Sequence, residues 1–356
     1  MSMPVPVVWS ADCLRHEPAG EVWLGLRDPG TEVPDRALVL RAALEAAGAP
    51  VLDARPHDDA ILHTVHHPQL VDHLAGIWAD WDQAGLPADY GRDRVVPYLV
   101  PTGAMLAGLP LRVPPAAHAR AGLFCYDTMT LVGPGSWEAI RGAVDAALTA
   151  ASLVSSGAPL AYALCRPPGH HATRGGYGGS CYLNNAAVAA QALRVAGAAQ
   201  VAVLDIDAHH GNGTQMIFYD RPDVWYGSLH VDPGAGWFPH YAGYPDERGR
   251  GAGHGYNWNL PLAPGTGDEG WLDALDVLCV EARELRPDAV VVSLGLDAAA
   301  EDPESPLCVT EAGYRKAGRR IAALAPAVFI QEGGYHLPTL GPLAVAALQG
   351  AAETIP

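Results

Sequence analysis

Two aspartates and two histidines crowd into the seven residues Asp205-Ile206-Asp207-Ala208-His209-His210-Gly211. The run closes an apolar, β-branched stretch, Val201–Asp207, and so reads as the end of a strand. Strand side chains alternate with period two, so Asp207 and His209 are expected to project together. An oxygen and a nitrogen donor aimed one way make half of a divalent-metal site. A second apolar run ends in Leu294-Gly295-Leu296-Asp297 and offers another carboxylate. Two aspartates and a histidine leave a fourth position for water and substrate, as a catalytic zinc requires. Each acid could instead cap the helix after its strand, and the donor types also admit iron or another divalent ion. Arg166-Pro167-Pro168-Gly169-His170-His171 holds tandem histidines in a proline–glycine turn, a placement suited to proton transfer. Glu332-Gly333-Gly334-Tyr335 puts a phenol on a glycine loop just past another apolar run. Taken singly, the histidine pair would be a surface accident and the tyrosine a packed ring beside a turn.

The elements that must position these groups are short apolar runs separated by alanine-rich stretches. Val201–Asp207, Val224–His230, Ala289–Asp297 and Ala327–Gly333 read as strands; Asn184–Ala196, Asp268–Leu285 and Thr310–Ala325 read as helices. Continuous apolar strands alternating with helices predict an α/β fold whose parallel sheet is covered on both faces. Ligands in such folds sit at the carboxyl ends of the strands, where the polar residues above fall. Before about residue 120 the pattern changes: helices are expected at Asp35–Gly48 and Pro68–Trp81, then a proline-rich stretch through Pro115. With no linker in sight, residues 1–356 are read as a single domain whose N-terminal part elaborates loops over the site.

Composition narrows the partners. The net charge is −17 with histidines neutral, a field that repels nucleic acid and attracts cations, although many acidic proteins are so only for solubility. Six cysteines (Cys13, Cys125, Cys165, Cys181, Cys279 and Cys308) are far apart and mostly in apolar surroundings, as expected of free thiols in a reducing compartment. The opening MSMPVPVVWS lacks the pattern of a signal peptide, and no run suggests a bilayer span, so a cytoplasmic protein is expected.

In this order, RPPGHHA (Arg166–Ala172), NNAAVAAQ (Asn184–Gln191), DIDAHHGNGTQ (Asp205–Gln215), SLH (Ser228–His230), SLGLD (Ser293–Asp297) and EGGY (Glu332–Tyr335) resemble the motifs of the arginase–deacetylase superfamily. The likeness is to the histone deacetylase-like amidohydrolases, and among them to the acetylpolyamine amidohydrolases. It runs from about residue 120 to the C-terminus. The resemblance implies an open, doubly wound, eight-stranded parallel sheet and a deacetylase acting on linear amides. It implies one zinc per chain on Asp207, His209 and Asp297, with His171 as general base and His170 assisting. Asp205 would orient His170, Asn212 would orient His171, and Tyr335 would donate to the carbonyl oxygen as it becomes an oxyanion. It also implies a structural potassium at Asp205, Ser228, Leu229 and the backbone of Asp207 and His209. A second monovalent site would fall at Phe218, Val224 and Tyr256. An arginase-type two-metal centre is disfavoured by spacing, since Ala298, Ala299 and Ala300 follow Asp297 where further carboxylates would be needed.

The departures from the family bear on substrate. Ser180, in Gly179-Ser180-Cys181, stands where most relatives have an aromatic wall, leaving Phe238 as the other wall of the tunnel. Glu304 stands at the rim, where many relatives are apolar, and could meet a distal ammonium. His118 replaces an acid that some acetylpolyamine amidohydrolases carry. The segment His16–Pro34 is expected to form a loop at the rim and, as in such relatives, to support a homodimer. The expected substrate is a small acylated amine resembling an acetylpolyamine. A broader acyl-lysine or acylated-metabolite deacetylase is the alternative, and a catalytically silent binding protein is the alternative of another class.

Overall fold

The structure, a computed structural model, describes residues 3–355; Met1, Ser2 and Pro356 lie outside it. Among the described residues there are ten strands, most of them separated by helices: β1 (Val7–Trp9), β2 (Glu21–Trp23), β3 (Leu26–Asp28), β4 (Val51–Asp53), β5 (Leu160–Ala163), β6 (Val201–Asp205), β7 (Val224–Val231), β8 (Asn257–Leu262), β9 (Ala289–Leu294) and β10 (Ala327–Gln331). Eight of them form one sheet in the order β4-β1-β5-β10-β9-β6-β7-β8, and every pairing in it is parallel. β2 and β3 make a separate antiparallel hairpin.

The strands are apolar throughout because both faces are covered. Ala202 and Leu204 of β6, Val290 and Val292 of β9, and Ala327 and Phe329 of β10 enter one core. Their neighbours Val201 and Val203, Ala289 and Val291, Val328 and Ile330 enter the other. Helices Asp268–Glu284, Glu311–Ala322 and Leu337–Ala352 cover the first face; Ser136–Ser155 and Asn185–Val195 cover the second. Each fully buried aliphatic side chain stabilises the fold by about 1.5–3 kcal/mol.

The N-terminal part does more than loop over the site, contrary to expectation. It supplies β1 and β4, the outer strands beside β5, and the helix Asp35–Ala46 on the first face. Three-residue strands carry too little alternation to announce themselves. Within His16–Pro34 the expected loop is a hairpin, turned by Leu24 and Gly25, both with positive φ (47° and 87°), as a two-residue turn between twisted strands requires.

Candidate active site

The four consecutive strands β5-β10-β9-β6 send their carboxyl-end loops to one place. β5 leads to His170 and His171, β6 to Asp205–His210, β9 to Asp297, and β10 to Glu332–Tyr335. One expectation needs correcting here. The strand ends at Asp205, so Asp207 and His209 lie in the turn beyond it, and strand alternation does not align them. The turn does so instead: the Ile206 N–H still bonds Ser293 O (3.0 Å), and then Asp207 Oδ1 accepts from the His209 N–H (2.9 Å).

Ligand-type atoms of Asp207, His209 and Asp297 all lie within 4.8 Å of one another. His209 Nδ1 is 3.1 Å from Asp297 Oδ2 and 3.4 Å from Asp207 Oδ1. Backbone amides fix the other oxygens: the Ala208 N–H donates to Asp297 Oδ1 and the Gly333 N–H to Asp207 Oδ2, both at 2.8 Å. A Cβ at Gly333 would meet Asp207 Oδ2 at 2.7 Å and crowd Asp297 as well, so the close approach demands glycine. Asp205, Asp207, Asp297 and Glu332 are all buried, and among the described residues no arginine or lysine side chain pairs with any of them. Burial, then the charge of Asp207, raise the Asp297 carboxyl to about 7, and burial raises Glu332 to about 7. For His209, burial opposes the cationic form, yet the two aspartates outweigh it and push its pKa well up. A buried, under-compensated carboxylate cluster with one imidazole fits a divalent cation in donor type and in charge.

The tandem histidines are held differently. His170 Nδ1 lies 3.1 Å from Asp205 Oδ2, which also accepts from the Tyr226 hydroxyl. Burial works against its charge, but Asp207 and Asp205 outweigh it and raise His170 to about 10. His171 Nδ1 donates to Asn212 Oδ1 at 2.8 Å, which leaves Nε2 as the free acceptor. Burial, then the positive His170 and His209, push the His171 pKa well down, as a neutral base requires. Burial pushes the Tyr335 phenol well up, so it remains a donor.

Three positioning groups escaped the sequence reading. Glu332 Oε2 accepts from the Gly169 and His170 N–H groups (2.7 and 3.1 Å) and pins the histidine turn. Asp302 Oδ2 accepts from the Tyr335 and His336 N–H groups (2.6 and 3.1 Å). Arg36 donates to Glu332 O and Gly334 O, both at 2.6 Å, and is itself paired with buried Glu32, which also binds Arg166. Glu332 opens the Glu332–Tyr335 motif and Asp302 lies five residues past Asp297, and those positions were the available signal. Nothing local marks Arg36.

A cavity of about 500 Å³ opens onto these groups. His171, His209, Tyr335, Gly179, Ser180, Phe238 and Glu304 line it. The Phe238 ring stands edge-on to His171, with centroids 4.8 Å apart. Glu304 accepts from the Thr31 hydroxyl at 2.9 Å. The hairpin adds Glu21, Trp23 and Asp28, none of which the sequence reading singled out. His118 is not brought to the cavity: it is exposed on the helix Ala117–Phe124, with its ring 6.2 Å from that of Tyr98. Asp205 pairs with Ser228 across β6 and β7, and Ser228 Oγ lies 2.7 Å from His230 Nδ1; Leu229 is buried in the core. At the second expected monovalent position, the Phe218 and Tyr256 carbonyls accept from Arg221 and Tyr226, and Val224 begins β7.

A parallel α/β sheet with an Asp-His-Asp cluster and paired histidines at its carboxyl edge defines the frame of a hydrolase whose donors fit a divalent metal. The histone deacetylase domain matches residues 30–351, and the chain belongs to that family. It is 41% identical to acetylpolyamine amidohydrolase 1 of Pseudomonas aeruginosa over 345 residues, 96% of this chain and 97% of that one. It is 38% identical to the acetylpolyamine amidohydrolase of Mycoplana ramosa over 97% of this chain and 99% of the other. The crystal structure of the acetylpolyamine aminohydrolase from Burkholderia pseudomallei superposes with a TM-score of 0.91 at 40% identity, covering 97% and 98% of the two chains.

Proposed function

We propose that this enzyme removes the acyl group, acetyl in the first instance, from an N-acylated polyamine or diamine. The observation that carries the reading is Glu304 lining the same cavity as His171 and Tyr335, with relatives of that activity aligned over nearly the whole chain. Asp207, His209 and Asp297 would hold zinc, which supplies Lewis-acid polarisation of an amide carbonyl and an acidified water. His171 Nε2 takes the proton of the attacking water, its tautomer fixed by Asn212. His170, held cationic by Asp205 and Asp207, stabilises charge developing beside it. Tyr335 donates to the developing oxyanion, held in place by Asp302 and by Arg36 under its loop. Phe238 and Gly179 form walls for the alkyl chain. Asp205, Ser228 and Leu229 would hold a structural potassium.

The small side chain of Ser180 favours a second reading, a broader deacylase with a wider tunnel. Turnover of acetylspermidine, acetylputrescine and an acetyl-lysine peptide by zinc-loaded enzyme separates the two. Polyamine preference is expected, and equal or better turnover of the peptide would remove it. A catalytically silent protein would show no turnover and no bound zinc.

The same reading takes the enzyme as cytoplasmic, supported by six free cysteines, five of them buried. Among the described residues no helix is long and apolar enough to cross a membrane. A homodimer is supported by exposed apolar side chains at Tyr98, Leu109, Leu111 and Val113, and light scattering tests it.

A further inference from the structure

We propose that Glu21 is a second cation-recognising carboxylate of the cavity, and that with Glu304 it selects acylated amines bearing two separated ammonium groups over those bearing one. The inference rests on the amide-hydrolase reading above and adds a specificity residue to it.

The hairpin register places Glu21 directly opposite Asp28, and Trp23 opposite Leu26. Residues two apart on a strand share a face, so Glu21 and Trp23 point together, and both line the cavity along with Asp28. The intervening Val22 docks the hairpin from behind: its N–H donates to Thr128 O (3.2 Å) and its carbonyl accepts from the Thr128 hydroxyl (2.6 Å). Like charges directly opposite each other destabilise an antiparallel pair. The hairpin's own cation does not relieve this, since Arg27 is turned outward to Asp93 and Ala19 O. Among the described residues no arginine or lysine side chain bonds Glu21, Asp28 or Glu304, and none lines the cavity.

Glu21 also senses Glu304. Burial, then the charge of Glu304, raise its carboxyl to about 7, so two carboxylates from different elements share one space that no arginine or lysine lines. That space continues to His171, His209 and Tyr335, so these acids belong to a cavity with reactive groups rather than to an acidic surface patch. A ligand ammonium between them would relieve the repulsion and gain a partly desolvated ion pair with each. Glu304 is positioned by Thr31 and by Asp302, whose Oδ1 accepts from the Glu304 N–H (3.0 Å), and it serves the single ammonium of a diamine. Glu21, on the hairpin, is left for a second.

The test compares zinc-loaded wild type with Glu21→Gln, Glu304→Gln and the double variant. Substrates are N-acetylbutylamine (no ammonium), acetylputrescine (one) and acetylspermidine (two). Each kcat/KM is read as a ratio to that of N-acetylbutylamine. Glu21→Gln is expected to lower the acetylspermidine ratio about tenfold, about 1.4 kcal/mol, and the acetylputrescine ratio less than about threefold. Glu304→Gln lowers both ratios, and the double variant has a lower acetylspermidine ratio than either single variant. Collapse of the hairpin would depress N-acetylbutylamine turnover as well, whereas loss of the carboxylate alone leaves kcat/KM for N-acetylbutylamine near that of wild type. Unchanged ratios, or equal falls for both polyamines, overturn the role of Glu21. A wild type with no preference for either polyamine over N-acetylbutylamine overturns the polyamine reading itself.

Discussion

Loading the Asp207–His209–Asp297 cluster with zinc must expel protons, and their number is set by the buried charges already described. A metal takes the neutral imidazole and the ionised carboxylates. Without it, His209 is held protonated by its two aspartates, and Asp297 is raised to about 7 by burial and by Asp207. A carboxyl raised that far is mostly protonated at pH 6, where a zinc-bound water still keeps its own proton. The ligands therefore release more than one proton per zinc at pH 6, approaching two. His170, raised to about 10, is protonated in wild type and Asp297→Asn alike, so a proton lost from it cancels between them. The assay is calorimetric titration of the metal-free protein with zinc at pH 6, in buffers of differing ionisation enthalpy. Asp297→Asn should lower the release by close to one proton. No release at pH 6, or a release that Asp297→Asn leaves unchanged, would refute the protonation of these buried groups.

Tyr335→Phe keeps the ring and removes the donor; kcat should fall about 10²–10³-fold with KM little changed, read from steady-state kinetics. Gly179→Ala puts a methyl against the His171 ring and 2.9 Å from Phe238 at a φ of +58°, so kcat/KM should drop by at least about tenfold while the zinc content stays the same. Glu32→Gln leaves two buried guanidiniums, Arg36 and Arg166, without their counter-charge, a loss of about 3–5 kcal/mol. At about 2.1 cal/mol/K per residue of unfolding entropy this lowers Tm by about 4–7 °C, measurable by calorimetry.

The core strands were legible because a sheet buried on both faces writes continuous apolar runs, and β6, β7, β9 and β10 begin where those runs begin. Their ends were less legible: at Asp205 the apolar pattern outlasts the pairing, and the turn takes over the alignment of Asp207 and His209. β1 and β4 were missed because three residues, preceded in each case by a proline, carry no periodicity. Motif residues that converge on the cavity could be named in advance because strand ends in such a sheet meet. Glu21 and Arg36 could not, since their roles depend on a hairpin turn and on a helix packing beneath the Glu332–Tyr335 loop. His118 shows the reverse, a position chosen by analogy whose helix carries it away from the cavity.

The place of β10 in the sheet constrains how the protein comes into being. It is the last strand in sequence, yet it lies between β5 and β9. During vectorial synthesis the chain therefore holds two separate half-sheets, β4-β1-β5 and β9-β6-β7-β8, each with an open, sticky edge. The paired histidines ride on the first half and the Asp-His-Asp cluster on the second. Like a keystone, β10 joins the halves only after Gln331 has left the ribosome, and it brings Tyr335 with it. A nascent chain arrested before that point lacks Tyr335 and leaves the inner edges of both half-sheets unpaired.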